Sequence, residues 1–214
     1  MQVLRTIRED DKTLLLRKNG ASLELVLGNV VLLSSAALET ERTFGALAEP
    51  TFAVSKRVVI GGLGFGSTLR GVLAVAPPDA EIVVVEKLRT VIEVAREEAA
   101  ELVAGALEDP RVTLRNADVA DVIAEAEPGS LGAILLDVDN GPEWASFRTN
   151  ARLYADASLA TARDRLAVGG IYAVWSGYPA DVFVGALRRA GFRPRIEPLR
   201  ERGVIRARAY VGAR

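Results

Sequence analysis

The 214-residue chain contains no cysteine and no histidine. Without cysteine, disulfides, thiolate catalysis, Cys-ligated zinc and Cys-ligated iron–sulfur clusters are excluded. Without histidine there is no Ser-His-Asp triad, and the side chain that titrates nearest neutral pH is missing. Proton transfer must fall to Asp, Glu, Tyr, Lys, Arg or water. A metal would need mostly carboxylate and carbonyl ligands, and none is expected. Neither sign of charge is in excess, with 27 basic against 28 acidic residues. That gives no overall attraction to nucleic acid or an anionic membrane. Only Lys12, Lys18, Lys56 and Lys87 are lysines; the other basic residues are arginine. No apolar run approaches the ~18 residues of a membrane span. The opening MQVLRTIREDDK has charges where a signal peptide needs its apolar stretch. A cytoplasmic protein without nucleic-acid or membrane partners is expected.

Half of the residues are hydrophobic, enough for a sizeable core. The first 55 residues differ in texture from the rest. Short apolar runs at Thr13–Arg17, Ser22–Leu27 and Asn29–Ser34 are punctuated by Asn19-Gly20 and Gly28-Asn29. Such pairs are hairpin signals, so a small antiparallel β-meander is predicted, then a helix from Ser35 to about Leu47. From residue 56 to 214, apolar bursts alternate with helical segments. Strands are predicted at Val58–Ile60, Ile82–Val85, Val112–Leu114, Ala133–Leu136 and Ile171–Trp175. Helices are predicted at Ser67–Val75, Leu88–Ala106, Val119–Glu125, Arg152–Leu166 and Ala180–Ala190. Arg193–Pro198 and Val204–Val211 read as a closing hairpin. Continuous apolar strands between helices imply a mostly parallel sheet covered on both faces. The arginines of the closing hairpin read as charge on an exposed sheet edge. Three roles are open to the meander: packing on the α/β domain, covering its site, or mediating a homodimer contact.

In open α/β sheets, ligands bind at the carboxyl ends of strands. The first such strand runs into Gly61-Gly62-Leu63-Gly64-Phe65-Gly66-Ser67, which opens a helix. Glycines Gly62, Gly64 and Gly66 would let backbone approach a ligand, and the helix start offers free N–H groups. A tight turn without a ligand uses the same residues. Glu86 ends the second strand, where a carboxylate can receive both hydroxyls of a ribose or simply favour the next helix N-terminus. Asp118, followed by Val119, can accept from an adenine amino group or cap a short helix. Asp137-Val138-Asp139-Asn140-Gly141-Pro142 ends the fourth strand; it is a good turn sequence, yet three polar residues there are hard to explain by packing. Trp144, Trp175 and Tyr178 follow strand ends and can hold a cation or a flat acceptor. Tyr154, on a helix, reads as core.

Together these segments resemble the spermidine synthase-like branch of the class I S-adenosylmethionine-dependent methyltransferase superfamily. The carriers are Val58 through Arg70, Val84-Val85-Glu86, Ala117-Asp118, Ile134–Asp137, Asn150–Tyr154 and Val168-Gly169-Gly170. The resemblance covers about residues 22–190. It implies a Rossmann-like α/β fold, with helices on both faces of the sheet, a C-terminal antiparallel hairpin and an N-terminal β-domain. It also implies S-adenosylmethionine or its decarboxylated form as co-substrate. The glycine loop and Val119 would border the donor, Glu86 would hold the ribose and Asp118 the adenine. Asp137, seconded by Asp139, would serve the attacking amine. Asn140, Trp144, Trp175 and Tyr178 would face a small-molecule acceptor. The chain also departs from the family. Phe65 stands where a loop aspartate is usual, Gly71 where a glutamate follows Leu-Arg, and Asn140 where a second aspartate is usual. Leu32 lies near the place of an expected glutamine. The expected activity is aminopropyl transfer to an amine. Methyl transfer from intact S-adenosylmethionine and non-catalytic nucleoside binding are the alternatives.

Overall fold

The computed structural model describes residues 1–9, 11–138, 141–142 and 148–214. Asp139, Asn140 and Trp144 lie outside the described residues. The chain opens with a four-stranded antiparallel sheet of β1 (Gln2–Glu9), β2 (Lys12–Asn19), β3 (Ser22–Leu27) and β4 (Val30–Ser34), ordered as in sequence. Asn19 pairs with Ser22 across a turn at Gly20, whose φ of +60° is the conformation that Asn-Gly favours. The meander expected from sequence lacked β1. Only Ile7 of that strand is buried, so its apolar signal is too sparse to read.

The helix α1 (Leu38–Ala46) leads into a seven-stranded sheet. Its strands are β5 (Arg57–Gly61), β6 (Glu81–Glu86), β7 (Val112–Asn116), β8 (Leu131–Leu136), β9 (Leu166–Ser176), β10 (Arg193–Glu201) and β11 (Val204–Ala213). Their spatial order is β10-β11-β9-β8-β5-β6-β7. The five strands β7, β6, β5, β8 and β9 run parallel, and β11 and β10 add an antiparallel edge. Helices α2 (Ser67–Val75) through α7 (Asp181–Arg189) fill the crossovers, with α5 (Val119–Glu125) and α6 (Asp156–Arg165) among them. The long helix expected over Leu88–Ala106 is instead two, α3 (Arg89–Arg96) and α4 (Ala100–Val103). The chain breaks at Glu97, where Arg5 of β1 gathers Glu93, Glu97 and Glu98, and ends at Ala104 and Gly105, both left-handed. Likewise, the helix expected over Arg152–Leu166 begins only at Asp156, after a 3-10 stretch.

Alternation along β5 distributes the core, since successive side chains point to opposite faces. Val58 and Ile60 face one cluster, which runs on through Phe44 of α1 to Leu14, Leu16 and Leu25 of the meander. Val59 faces the other, with Ile134, Tyr172 and Phe183. The meander therefore shares one core with the parallel sheet. Emptying the Phe44 site to alanine would cost about 3–5 kcal/mol, because the ring is fully buried. Among the described residues, no helix is long and apolar enough to cross a membrane.

Candidate functional site

Strand addition reverses between β5 and β8, the switch point at which such sheets bind ligands. A cavity of about 760 Å³ opens there, within the range of small-molecule sites. Its walls come from the glycine loop and from the ends of β6, β8 and β9. Val31–Ser34 of β4 close the side toward the meander. The meander thus packs on the domain and walls its site. Two contacts fasten it: the Glu9 carboxylate accepts from the N–H groups of Arg89 (2.6 Å) and Thr90 (3.0 Å) at the start of α3, and Arg5 bonds Glu93 and Glu97 at 2.9 Å.

The loop is built by Gly62. Its φ is +92°, and a Cβ there would stand 2.1 Å from the Asp137 carbonyl oxygen. Only glycine fits, so the loop lies directly on the end of β8. Asp137 N–H donates to the Gly61 carbonyl, and Gly62 N–H to that of Val85, both at 2.8 Å. Three strand ends are thereby joined. Gly62, Gly64 and Phe65 border the cavity. Gly66 does not; it turns left-handed into α2 and lies against Val103.

Glu86 is 8% exposed. Its Oε2 accepts from Leu63 N–H (3.0 Å) and its Oε1 from Leu88 N–H (2.8 Å), which couples the loop to β6. Burial pushes this carboxyl up, against the pull of those N–H groups. A carboxylate has about four acceptor positions, so a diol in the cavity still has one to meet beside the N–H groups of Leu63, Leu88 and Lys87. Asp118 both caps α5 and borders the cavity, with Val119 beside it. Its Oδ1 accepts from Ala120 N–H at 3.0 Å. Its Oδ2 lies 3.0 Å from Lys87 Nζ and 2.6 Å from Arg152 Nη2. Burial would raise this carboxyl, but these partners outweigh it and hold it below the usual range.

Asp137 follows β8 and borders the cavity. Thr68 Oγ1 donates to its Oδ2 at 2.6 Å, and burial pushes the carboxyl up to about 6. A second carboxylate, Glu41 of α1, borders the same cavity. Burial, then the charges of Asp137 and Glu201, push it well above the ordinary range. Trp175 and Tyr178 complete this end; Trp175 Nε1 donates to Thr40 Oγ1 at 3.4 Å, and Tyr178 is 47% exposed. Tyr154 meets the Phe183 ring edge-on at 5.6 Å, a core contact.

The sequence reading did not pick out Glu41, Thr68, Lys87 or Arg152. Glu41 looks like any acid in the first turn of a helix. What brings it to the site is the crossing of α1 over α2. A Cβ on Gly45 would stand 2.1 Å from the Thr68 carbonyl oxygen, and one on Gly71 would stand 2.1 Å from that of Arg42. The two backbones touch, which no single-segment pattern reveals.

No protein-family model matches the chain, and no curated protein matches it. Solved structures do match. A spermidine synthase in complex with the transition-state analogue AdoDATO superposes with a TM-score of 0.76 at 19% identity, covering 99% of this chain and 72% of that one. The spermidine synthase of Thermotoga maritima gives 0.76 at 20% identity, with the same coverage of 99% and 72%. The chain has the fold of the spermidine synthases. Human methyltransferase-like protein 13 in complex with SAH gives 0.61 at 21% identity, covering 82% of each chain. The methyltransferase thus matches less of this chain than the spermidine synthases do, 82% against 99%. At these identities the likeness is one of architecture, and the site must be read from its own residues.

Proposed function

We propose that the chain is an alkyltransferase, using an S-adenosylmethionine-type sulfonium as donor and an amine as acceptor, with aminopropyl transfer as the reaction. The observation that carries this reading is the meeting of Asp137 and Glu41 in one cavity with the glycine loop, Glu86 and Asp118. The loop, Glu86 and Asp118 suit the nucleoside of the donor. Two carboxylates beyond them suit a cationic acceptor and repel a carboxylate-bearing donor tail. Alkyl transfer from a sulfonium needs in-line positioning and exclusion of water more than it needs an acid, so a chain without histidine can perform it. The architecture shared with solved spermidine synthases supports the same reading.

Phe65 favours a second reading. It is buried on the cavity wall in place of the aspartate that the resemblance leads one to expect. Without that carboxylate, intact S-adenosylmethionine becomes a competing donor, and the reaction would be methyl transfer. Calorimetric titration with each donor decides between them. Preference for the decarboxylated form supports aminopropyl transfer, and preference for the intact form supports methyl transfer. If neither binds, the transferase reading is wrong.

A further inference from the structure

Glu41 lies outside every segment that carries the family resemblance to the donor site, yet the fold takes unusual care over its position. Its helix is pressed onto α2 through Gly45 and Gly71, backbone against backbone. From the other side, the turn between β10 and β11 grips the start of α1. Glu39 N–H donates to Glu201 Oε2 at 3.0 Å, and Arg202 N–H donates to Glu39 Oε2 at 2.9 Å. Trp175 holds the neighbouring Thr40. Thr68 Oγ1 donates to Asp137 and also lies 3.4 Å from the Glu41 carbonyl oxygen, linking the two acid-bearing segments. Helix α2, the β10–β11 turn and β9 therefore converge to hold this carboxylate-bearing segment at the cavity that Asp137 also borders. Structure alone gives no reason for this, since two like charges brought together out of water are unfavourable.

We propose that Glu41 is a second catalytic carboxylate, sharing with Asp137 the proton that the acceptor amine gives up. This rests on the amine-transfer reading above. Above the pH at which the pair has given up its last proton, the acceptor enters as an ammonium and meets two ionised carboxylates. One proton passes from nitrogen to the pair. The freed lone pair attacks the carbon next to the sulfonium; the N–C bond forms, the C–S bond breaks, and its electrons neutralise the sulfur. The product amine keeps the positive charge, and the pair later releases its proton to water. The mutual repulsion of the two carboxylates makes the pair hold one proton more tightly than either would alone. Among the described residues, the charged groups around Glu41 are Asp137 just after β8, Glu201 and Arg202 from the hairpin turn, Glu39 and Arg42 on its own helix, and Arg70 of α2 beside Arg42. Glu201 adds to the tight hold on the proton.

The test follows the carboxyl carbons by NMR titration in the wild type, Glu41→Gln and Asp137→Asn, alongside donor calorimetry and the pH profile of kcat/KM with a diamine. For a shared proton, removing either partner moves the titration of the other to lower pH. The acid limb of kcat/KM moves down in Glu41→Gln, and kcat/KM at the optimum falls about 100-fold, the usual worth of a proton acceptor. Donor affinity stays within about twofold, and Glu41→Asp recovers part of the loss. Circular dichroism confirms that the variants fold; should Glu41→Gln fail to do so, Glu41→Asp and the Asp137→Asn titration carry the test. The proposal is overturned if Asp137 titrates unchanged in Glu41→Gln, or if kcat/KM and its pH profile do not move while donor binding and turnover persist. If the wild type binds no donor, the transfer reading falls, and the catalytic role with it, whatever the titrations show.

Discussion

Replacing Asp137 by asparagine should make the protein more stable and less active. The carboxyl titrates at about 6 in the fold, against an ordinary value of 3.8. The folded chain therefore holds this proton more tightly than the unfolded chain does. The stability that Asp137 contributes is present below about pH 4 and is lost as pH rises through about 6. At about 1.4 kcal/mol per pH unit, the loss reaches about 3 kcal/mol by pH 7.5. Asparagine has the same shape, stays neutral, and still accepts from the Thr68 hydroxyl. Asp137→Asn should therefore unfold in urea about 2–3 kcal/mol later than the wild type at about pH 7.5, which is about 5–10 °C in Tm for a chain of this size. Near pH 4 the two should coincide. Donor affinity should change little while turnover falls about 100-fold. Equal stability at pH 7.5, or a gain that persists unchanged at pH 4, would refute the account of a carboxylate held ionised against its burial.

Glu86→Ala strips the acceptor from two backbone N–H groups. It should cost about 1–3 kcal/mol and weaken donor binding at least tenfold by calorimetry; unchanged affinity would remove Glu86 from the site. Gly71→Ala drives a methyl into the Arg42 carbonyl, and urea unfolding should show a loss of about 1–3 kcal/mol or more. Gly185→Ala, in a helix with only the Arg189 guanidinium near, should be neutral or stabilising by about 0.5 kcal/mol. Asp118→Asn keeps the cap and gives up the ion pairs with Lys87 and Arg152. Stability should change by less than about 1 kcal/mol, and a fall in donor affinity measured alongside isolates the contribution of this residue to the nucleoside.

Local patterns established much of this molecule. The buried bursts Val58–Ile60, Ile82–Val85 and Ala133–Leu136 specify parallel strands because strands covered on both faces have no polar side to show. The glycine loop, Glu86, Asp118 and Asp137 were legible because each stands directly after such a strand, and the topology of open sheets places strand ends together. β1 was illegible because an edge strand buries one residue in eight. The helix break at Glu97 was illegible because its partner, Arg5, is far away in sequence. The second carboxylate escaped for the same reason. Glu41 has no motif, and its neighbours on the chain say only that it begins a helix. It reaches Asp137 because Gly45 and Gly71 let two backbones touch and because a hairpin from the far end of the chain grips the start of α1. Strand ends are set by pattern, which acts within a few residues. The pairing of charges across helices is set by close packing between distant segments, and that exists only once the chain has folded.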